Sequence, residues 1–233
     1  MFDTMRLGAS AAGAYEIERS LRFNVDDSTK LTFTPSSTTN RRTFTLSFWF
    51  KVGRLMSNGT NIFEGDMTHA NGFMISRNST GALYFYDHGV GSFQIWSDRL
   101  FRDPSAWYHC VFAADTENGT DTNRAKIYIN GVQQDLSTWN VGSGANRYPP
   151  EDGDFDINQT NQMAIGTSGW TGGNDDFDGY LAEFHSIDGT QLDASSFGET
   201  NADTGQWVPI KYAGSYGSEG FYLNFSDNSN TTA

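Results

Sequence analysis

Residues 176–199 read DFDGYLAEFHSIDGTQLDASSFGE, and this stretch decides the fold of the chain. It begins with a short acidic loop, continues as one apolar strand, turns, and ends on LDASSFGE, which is long enough for only about two helical turns. No nucleophile beside a base, no phosphate-binding glycine loop and no zinc-ligand spacing occurs in it. The order of loop, strand, turn and short helix is specific enough to be the signature of a particular fold. The rest of the chain indicates which fold it is.

The composition predicts a β-rich protein with many tight turns. Aromatic residues make up 15% of the 233 residues against 18% charged, and 25 glycines accompany only five prolines. Aromatic and β-branched side chains suit a pleated, half-buried surface, and glycine suits tight turns. The length allows one large all-β domain or two small ones. The single cysteine, Cys110, excludes an internal disulfide framework, and its place within a strand predicts a small buried hydrophobe.

The charge of the chain excludes one class of partner. It carries 28 acidic and 15 basic groups, for a net charge of −13. Nucleic-acid binding needs a positive surface, so we expect no nucleic-acid partner. An acidic surface keeps a protein soluble in salty surroundings, but acidic loops can also hold Ca²⁺, and both interpretations stay open here. No run of 18 apolar residues and no secretory signal pattern occurs, so we expect no membrane insertion.

Short strand-like runs follow one another along the chain, with turn signals between them. Their spacing of roughly 8–12 residues predicts a sandwich or a barrel rather than βαβ units. In ALYFYDH, Leu83 and Phe85 alternate with Tyr84 and Tyr86, as expected for a strand. FTLSFWFKV is apolar on both faces and so belongs in the centre of a sheet, while INGVQQ predicts a hairpin through its Asn-Gly pair. We predict an all-β fold in a single domain.

Four segments, in this order, resemble the laminin-G-like jelly rolls of the concanavalin A-like lectin/glucanase superfamily: FTLSFWFKVG, DPSAWYHCVFAAD, AKIYINGVQQ and FDGYLAEFHSIDGTQLDASSF. The positions that match the family's motifs are Trp49, Trp107, His109, Tyr128, Asn130, Gly131, Gly179, Glu183, Asp188 and Leu192. The resemblance implies an antiparallel β-sandwich over residues 20–233, with a short helix after the last long strand. The opening stretch then is that strand and the helix that closes the sandwich.

A closer resemblance is to laminin-G-like virion proteins of tailed bacteriophages, many of them marine. The segments GASAAGAYEIERSLRFN, DPSAWYH, DGYLAEFHSIDG and SSFGETNADTGQWVPIKYAGSYGSEGFYLNFSDNSN carry it. It implies a non-enzymatic structural protein of the extracellular particle, a tail-fibre or capsid-appendage component. Such a protein contacts other virion proteins, forms a homo-oligomer, with a trimer favoured, and binds a host-surface glycan. Two alternatives remain: a secreted glycan-active enzyme of the glucanase branch, and a free carbohydrate-binding lectin.

Residues 1–19 form a leader that is rich in small residues and precedes the first convincing strand at Leu21. The usual fate of terminal residues is disorder. Phe2, Leu7 and Tyr15, however, make this leader too apolar for water. We therefore predict that it docks on a neighbouring subunit or on another virion protein.

No residue of the chain is predicted to be catalytic. Glucanases of the superfamily carry three acids at every second position of one strand, which places all three on one face. The nearest match here is Glu64-Gly65-Asp66-Met67-Thr68, where a threonine stands in place of the third acid. The four histidines have no zinc-binding spacing, and His109, in the family's W-x-H strand, is predicted to be a hydrogen-bonded core residue.

Calcium is the only cofactor that the sequence suggests. Residues 172–179 read GGNDDFDG, and they offer clustered oxygen ligands beside glycines that permit sharp turns. The predicted ligands are Asn174, Asp175, Asp176 and Asp178. The alternative is a solvated acidic turn that caps the last long strand.

Glycan binding needs an exposed aromatic ring beside polar side chains. Trp170, Trp139 and Trp207 fall in loop-like contexts and are the predicted glycan-binding residues, although burial or packing between subunits is an alternative for each. Trp49 and Trp107 lie in strand motifs and are predicted to be core residues.

Overall fold

The computed structural model describes residues 15–55, 59–68, 72–169 and 175–226. Its strands, in chain order, are β1 (Leu21–Phe23), β2 (Leu31–Phe33), β3 (Thr43–Val52), β4 (Thr60–Glu64), β5 (Met74–Arg77), β6 (Ala82–Asp87), β7 (Phe93–Leu100), β8 (Tyr108–Asp115), β9 (Ala125–Ile129), β10 (Val132–Gln133), β11 (Asn140–Val141), β12 (Met163–Ile165), β13 (Gly179–Asp188), β14 (Gly198–Thr200), β15 (Trp207–Pro209) and β16 (Phe221–Leu223). The helical elements described are one short helix, α1 (Asp121–Arg124), and 3₁₀ turns at Val25–Asp27, Leu136–Thr138 and Ala194–Ser196. No helix in the described ranges is long and apolar enough to cross a membrane.

Two seven-stranded sheets form the sandwich. The first sheet has the order β1-β13-β3-β8-β9-β10, and β16 also pairs with β13. The second sheet has the order β11-β7-β6-β5-β4-β12-β2, and β14 and β15 form a separate hairpin. Every pairing between these strands is antiparallel. The prediction of an antiparallel β-sandwich is confirmed, and its short closing helix is the 3₁₀ turn at Ala194–Ser196.

The centre of the first sheet is β3, as its sequence predicts. It pairs with β13 on one side and with β8 on the other. Between the sheets lies a core rich in phenylalanine, where Phe184 stacks on Phe63 at 5.9 Å and Phe85 stacks on Phe112 at 5.5 Å. These rings come from opposite sheets, so each contact joins the two layers. Burying one such side chain stabilises the fold by about 1.5–3 kcal/mol.

The C-terminal part of the chain covers part of the outer face of the first sheet. Val111 and Ile187 of this face pack with Phe197 and with Trp207 in a second hydrophobic cluster. The residues of β3 on this face are mainly polar, and Trp49 is the one aromatic residue among them, so the prediction that β3 is apolar on both faces is wrong. The position of the cover depends on contacts between residues far apart in the chain, which strand alternation does not reveal.

The two tryptophans predicted to be core residues differ. Trp49 is 4% exposed and stacks on His109 at 4.9 Å, which confirms that prediction. The prediction for Trp107 is wrong, because its side chain is only half-buried and lies one residue before β8. Its ring contacts the ring of Tyr180 at 6.4 Å. Trp107 is absent from the cluster formed by the C-terminal cover, so its ring keeps access to solvent.

A β-bulge interrupts β13 between Ala182 and His185. Within it, Glu183 has a φ of 48°, which is a strained conformation for a side chain of this size. The Glu183 carboxylate accepts hydrogen bonds from the hydroxyls of Tyr222, at 2.7 Å, and Tyr15, at 2.5 Å. Tyr15 belongs to the predicted leader, so this part of the leader contacts its own sandwich; residues 1–14 lie outside the described residues.

Candidate glycan-binding groove

A groove of about 500 Å³ runs across the outer face of the second sheet. Its floor is aromatic: Tyr84 and Tyr86 stack with their ring centroids 6.0 Å apart and their planes within 12°. Trp96 on the neighbouring strand contacts the ring of Tyr84 at 6.3 Å. All three side chains are partly exposed. A flat, partly exposed aromatic floor of this kind offers the apolar surface that the C–H face of a sugar ring can cover.

The pairing register of the strands builds this floor. Tyr84 on β6 lies opposite Trp96 on β7 and Ser76 on β5, and Tyr86 lies opposite Gln94 and Met74. Because side chains alternate along a strand, these residues face outward while their neighbours enter the core. The groove is therefore a two-row patch of side chains on three adjacent strands.

Hydrogen-bonding groups stand beside the rings. The amide nitrogen Nε2 of Gln94 donates to the Tyr84 hydroxyl at 2.5 Å, which fixes the orientation of both groups. A side chain at residue 142 would collide with Gln94, so Gly142 lets the loop pass close to this pair. Burial raises the pKa of Tyr84 to about 12, so its hydroxyl stays protonated at neutral pH. Ser76 and Asp175 also line the groove.

Asn61 forms the polar wall on the β4 side. Its Nδ2 donates to Glu64 Oε2 at 2.7 Å and to the carbonyl oxygen of Thr167 at 3.0 Å. Its main-chain N–H donates to the carbonyl of Asp175 at 2.6 Å. The Oδ1 atom of Asn61 is buried and has no hydrogen-bond partner among the described residues. An unsatisfied buried acceptor costs about 1–3 kcal/mol, so a donor supplied by a buried water molecule would be stabilising there.

Glu64, at the end of β4, and Asp66, two residues beyond it, do not form a catalytic pair that substrate can reach. Glu64 is 2% exposed, and burial raises the pKa of its carboxyl to about 8. Asp66 is 3% exposed and accepts hydrogen bonds from Thr68 Oγ1 and from Asn161. A bulge in the pairing of β4 with β5 turns Glu64 onto the same face as Asn61. Both carboxyls are satisfied inside the protein, where a sugar does not reach them.

Two of the three predicted glycan-binding tryptophans, Trp139 and Trp207, do not line this groove. Trp139 is 6% exposed, and its ring packs against Phe85 at 5.9 Å in the core. Trp207 is half-buried, and its indole Nε1 donates to His109 Nδ1 at 3.0 Å. Trp170 lies outside the described residues. Burial removes Trp139 from the solvent-exposed surface, and the hydrogen bond to His109 assigns Trp207 to the C-terminal cover.

His109 is the hydrogen-bonded core residue that the sequence predicts. It is 1% exposed, and its Nε2 lies 2.9 Å from Ser47 Oγ. An indole N–H only donates, so Nδ1 of His109 accepts from Trp207 and Nε2 carries the proton. Burial, followed by the nearby His185, lowers the pKa of His109 to about 3.

The predicted calcium ligands do not converge among the described residues. The Asp178 carboxylate pairs with Arg22 at 2.9 Å, and Asp176 accepts a hydrogen bond from Thr167 Oγ1 at 2.5 Å. Asn174 lies outside the described residues. No group of three or more histidine, cysteine or acidic side chains in the described part of the chain could hold a metal ion. The calcium site remains a prediction.

The groove lies on the outer face of a β-sandwich. A comparison with protein families identifies the family to which this sandwich belongs. Residues 24–195 match the model of the concanavalin A-like lectin/glucanases superfamily. This chain belongs to that superfamily. A search of curated proteins finds no match to this member.

Several solved structures are similar to this chain at low sequence identity. A putative carbohydrate-binding protein from Bacteroides ovatus is 16% identical, with 73% of this chain and 43% of that chain covered and a TM-score of 0.50. A heptameric pentraxin from Limulus polyphemus is 17% identical, over 77% of this chain and 80% of that chain, with a TM-score of 0.46. Domains LG4-5 of the mouse laminin alpha1 chain are 13% identical, over 79% of this chain and 45% of that chain, with a TM-score of 0.49. At these identities the similarity concerns the fold alone.

The sequence did contain a signal for the groove. In the run ALYFYDH, tyrosines at Tyr84 and Tyr86 alternate with Phe85, and SFQIWSD follows as the next strand. Two adjacent strands with aromatic residues on both faces predict one buried and one partly exposed aromatic face. The loop context of a tryptophan is a weaker signal, because a loop can fold back over the core.

Proposed function

We propose that this member of the superfamily is a non-enzymatic glycan-binding module and that the groove over Tyr84 and Tyr86 holds the sugar. The observation that carries the proposal is the stacked pair of rings beside Gln94, Ser76 and Asn61. Glycan recognition needs an apolar ring face together with nearby hydrogen-bonding groups, and the groove supplies both. The unpaired Oδ1 of Asn61 is buried, so its partner would be a small bridging water rather than the sugar itself.

The non-enzymatic part of the proposal rests on Glu64 and Asp66. Glycoside hydrolysis by the usual route needs two carboxyl groups on either side of the bond to be cleaved. These two acids are almost fully buried and are bonded to protein groups. The alternative of a glycan-active enzyme predicts release of reducing ends from β-glucans such as laminarin, and no release is expected here.

We further propose that the module works on a virion, as a tail-fibre or capsid-appendage component bound to other virion proteins in a homo-oligomer, a trimer by preference. The support is the resemblance of the chain to laminin-G-like phage proteins. A mass-spectrometric inventory of purified particles tests this placement. A chain found only in the free, secreted fraction would favour the lectin alternative.

A glycan array probed with the wild-type protein, followed by calorimetric titration of the best neutral oligosaccharide, tests the groove. Tyr86→Ala should weaken that binding about tenfold or more, since it removes half of the stacking floor. Tyr86→Phe keeps the ring and should retain most of the affinity. Tyr212→Ala, which removes a partly exposed tyrosine packed against the cover of the other sheet, serves as the matched control. Equal binding by wild type and Tyr86→Ala would exclude the groove as the site.

A further inference from the structure

The outer face of the first sheet carries a row of cationic and aromatic side chains at the end that the C-terminal cover leaves open. Arg22 on β1 pairs in register with Tyr180 on β13, and Tyr180 pairs with Lys51 on β3. Trp107, which precedes β8, reaches the Tyr180 ring at 6.4 Å. A pocket of about 400 Å³ is lined by Arg22, Lys51, Tyr180 and Arg54, and Trp107 lies beside it through its contact with Tyr180. We call Arg22, Tyr180, Lys51 and Trp107 the basic row.

Tyr180 holds the two cations of the basic row in place. The guanidinium carbon of Arg22 lies 5.3 Å from the centre of the Tyr180 ring, and the ammonium of Lys51 lies 5.5 Å from it. Both distances are those of cation–π contacts. Such contacts fix the two long side chains before any ligand arrives, so less conformational entropy is lost on binding.

The pocket has an excess of positive charge in a strongly acidic protein. Arg22 pairs with Asp178 at 2.9 Å and Arg54 pairs with Asp26 at 3.1 Å. Among the described residues that line the pocket, three cations meet two carboxylates. In the described part of the chain, Lys51 has no carboxylate within ion-pair distance, although Asp103, beside the pocket, is near enough for Lys51 to help lower its pKa. The net charge of −13 acts mainly at long range. At physiological salt the screening length is about 8 Å, so a bound group within contact distance is influenced mainly by these local cations.

From this geometry we infer a second binding site, separate from the groove, that takes a sugar bearing an anionic substituent, either a carboxylate or a sulfate ester. Lys51 contacts the anion, and the partly exposed ring of Trp107 covers the apolar face of the same sugar. The ring distinguishes this ligand from a simple inorganic anion, which gains nothing from an apolar surface. The groove on the second sheet has no cation among its described lining residues, so we expect the two sites to select different sugars.

Calorimetric titration with three tetrasaccharides tests the site: an alginate oligomer that carries carboxylates, a carrageenan oligomer that carries sulfates, and a neutral agarose oligomer. We expect at least one anionic oligomer to bind wild type, and we expect its affinity to fall between about 50 mM and about 300 mM NaCl. Whichever anionic oligomer binds better identifies the substituent. Binding of neither anionic oligomer would overturn the inference.

Lys51→Gln should weaken binding of the anionic oligomer roughly tenfold, as the loss of a charge-assisted contact does. Lys126→Gln makes the same change of charge on β9 of the same sheet and should bind like wild type. Trp107→Ala should also weaken binding while Trp107→Phe retains most of it, with melting curves confirming that both variants fold. Unchanged affinity in both Lys51→Gln and Trp107→Ala would overturn the site.

Two further measurements distinguish this site from the groove and from a site for an acidic protein partner. Tyr86→Ala should leave binding of the anionic oligomer unchanged, so failure of the groove and failure of the basic row give different results. A polyglutamate peptide should bind more weakly than the oligosaccharide, because it has no sugar face for Trp107. Equal binding of the peptide would overturn the sugar assignment in favour of an acidic protein partner.

Discussion

Replacement of Glu64 by glutamine should flatten the loss of stability that is expected as the pH rises from 4.5 toward 8. Glu64 is 2% exposed, and burial raises the pKa of its carboxyl from 4.5 to about 8. In the unfolded chain the carboxyl ionises above pH 4.5, whereas the folded protein keeps it protonated. The contribution of Glu64 to stability is therefore fully present below pH 4.5 and is lost as the pH rises toward 8. Glutamine is neutral in both states, and its oxygen can accept the same hydrogen bond from Asn61.

The magnitude follows from the difference between the two pKa values. Each pH unit in this window costs about 1.4 kcal/mol for one group, so Glu64 should cost about 2 kcal/mol between pH 6.5 and pH 8. Asp87, whose pKa burial raises to about 7, adds a smaller loss. That loss occurs in wild type and in Glu64→Gln alike, so it cancels when the two proteins are compared.

Urea unfolding at pH 6.5 and at pH 8, followed by tryptophan fluorescence, measures this effect. The free energy of unfolding of wild type should fall by about 2 kcal/mol more than that of Glu64→Gln over this interval. Glu199→Gln, which removes an exposed carboxylate from β14, should behave like wild type. Parallel pH profiles for wild type and Glu64→Gln would refute the reasoning, because they would show that Glu64 ionises at the same pH in the folded and unfolded states.

Three further results are expected. Trp207→Phe should lower the free energy of unfolding by about 1–3 kcal/mol, because it leaves Nδ1 of His109 buried without a hydrogen-bond donor. Trp96→Phe, the same change at the partly exposed groove, should lower it by less. Equal losses of the two variants in urea unfolding would contradict this prediction. Phe112→Ala should cost about 3–5 kcal/mol, since its ring contacts five other phenylalanines, and a melting temperature within a degree or two of wild type would show that the core is misassigned. If Asp175, Asp176 and Asp178 hold Ca²⁺, the melting temperature should rise with Ca²⁺ concentration relative to EDTA; identical melting curves would leave only the solvated acidic turn, in which Asp178 pairs with an arginine.

Local patterns predicted much of the fold. The run FTLSFWFKV predicted a central strand, and β3 lies between β13 and β8. The Asn-Gly pair of INGVQQ predicted a hairpin, and Asn130 and Gly131 adopt φ values of 48° and 79° between β9 and β10. Both signals concern neighbouring residues, so they survive in any tertiary arrangement that keeps the strands.

The binding surfaces could not be predicted in the same way. Alternation showed that Tyr84 and Tyr86 share a face, but the identity of the covered face depends on where distant segments pack. The C-terminal segment covers Trp49 and His109, and it leaves Trp107 half-exposed. Aromatic residues in equivalent strand positions therefore end in the core, under the cover or at the surface.

The sequence by itself determined the class of fold, the central strands and the turns, because period-two patterning and turn chemistry act over a few residues. Only the tertiary structure decided that Trp139 is buried, that Trp207 bonds to His109, and that Asp178 pairs with Arg22. The last two contacts join residues 98 and 156 positions apart. Contacts across such separations depend on how the whole chain packs, and at each of these positions the local context was that of a loop or turn.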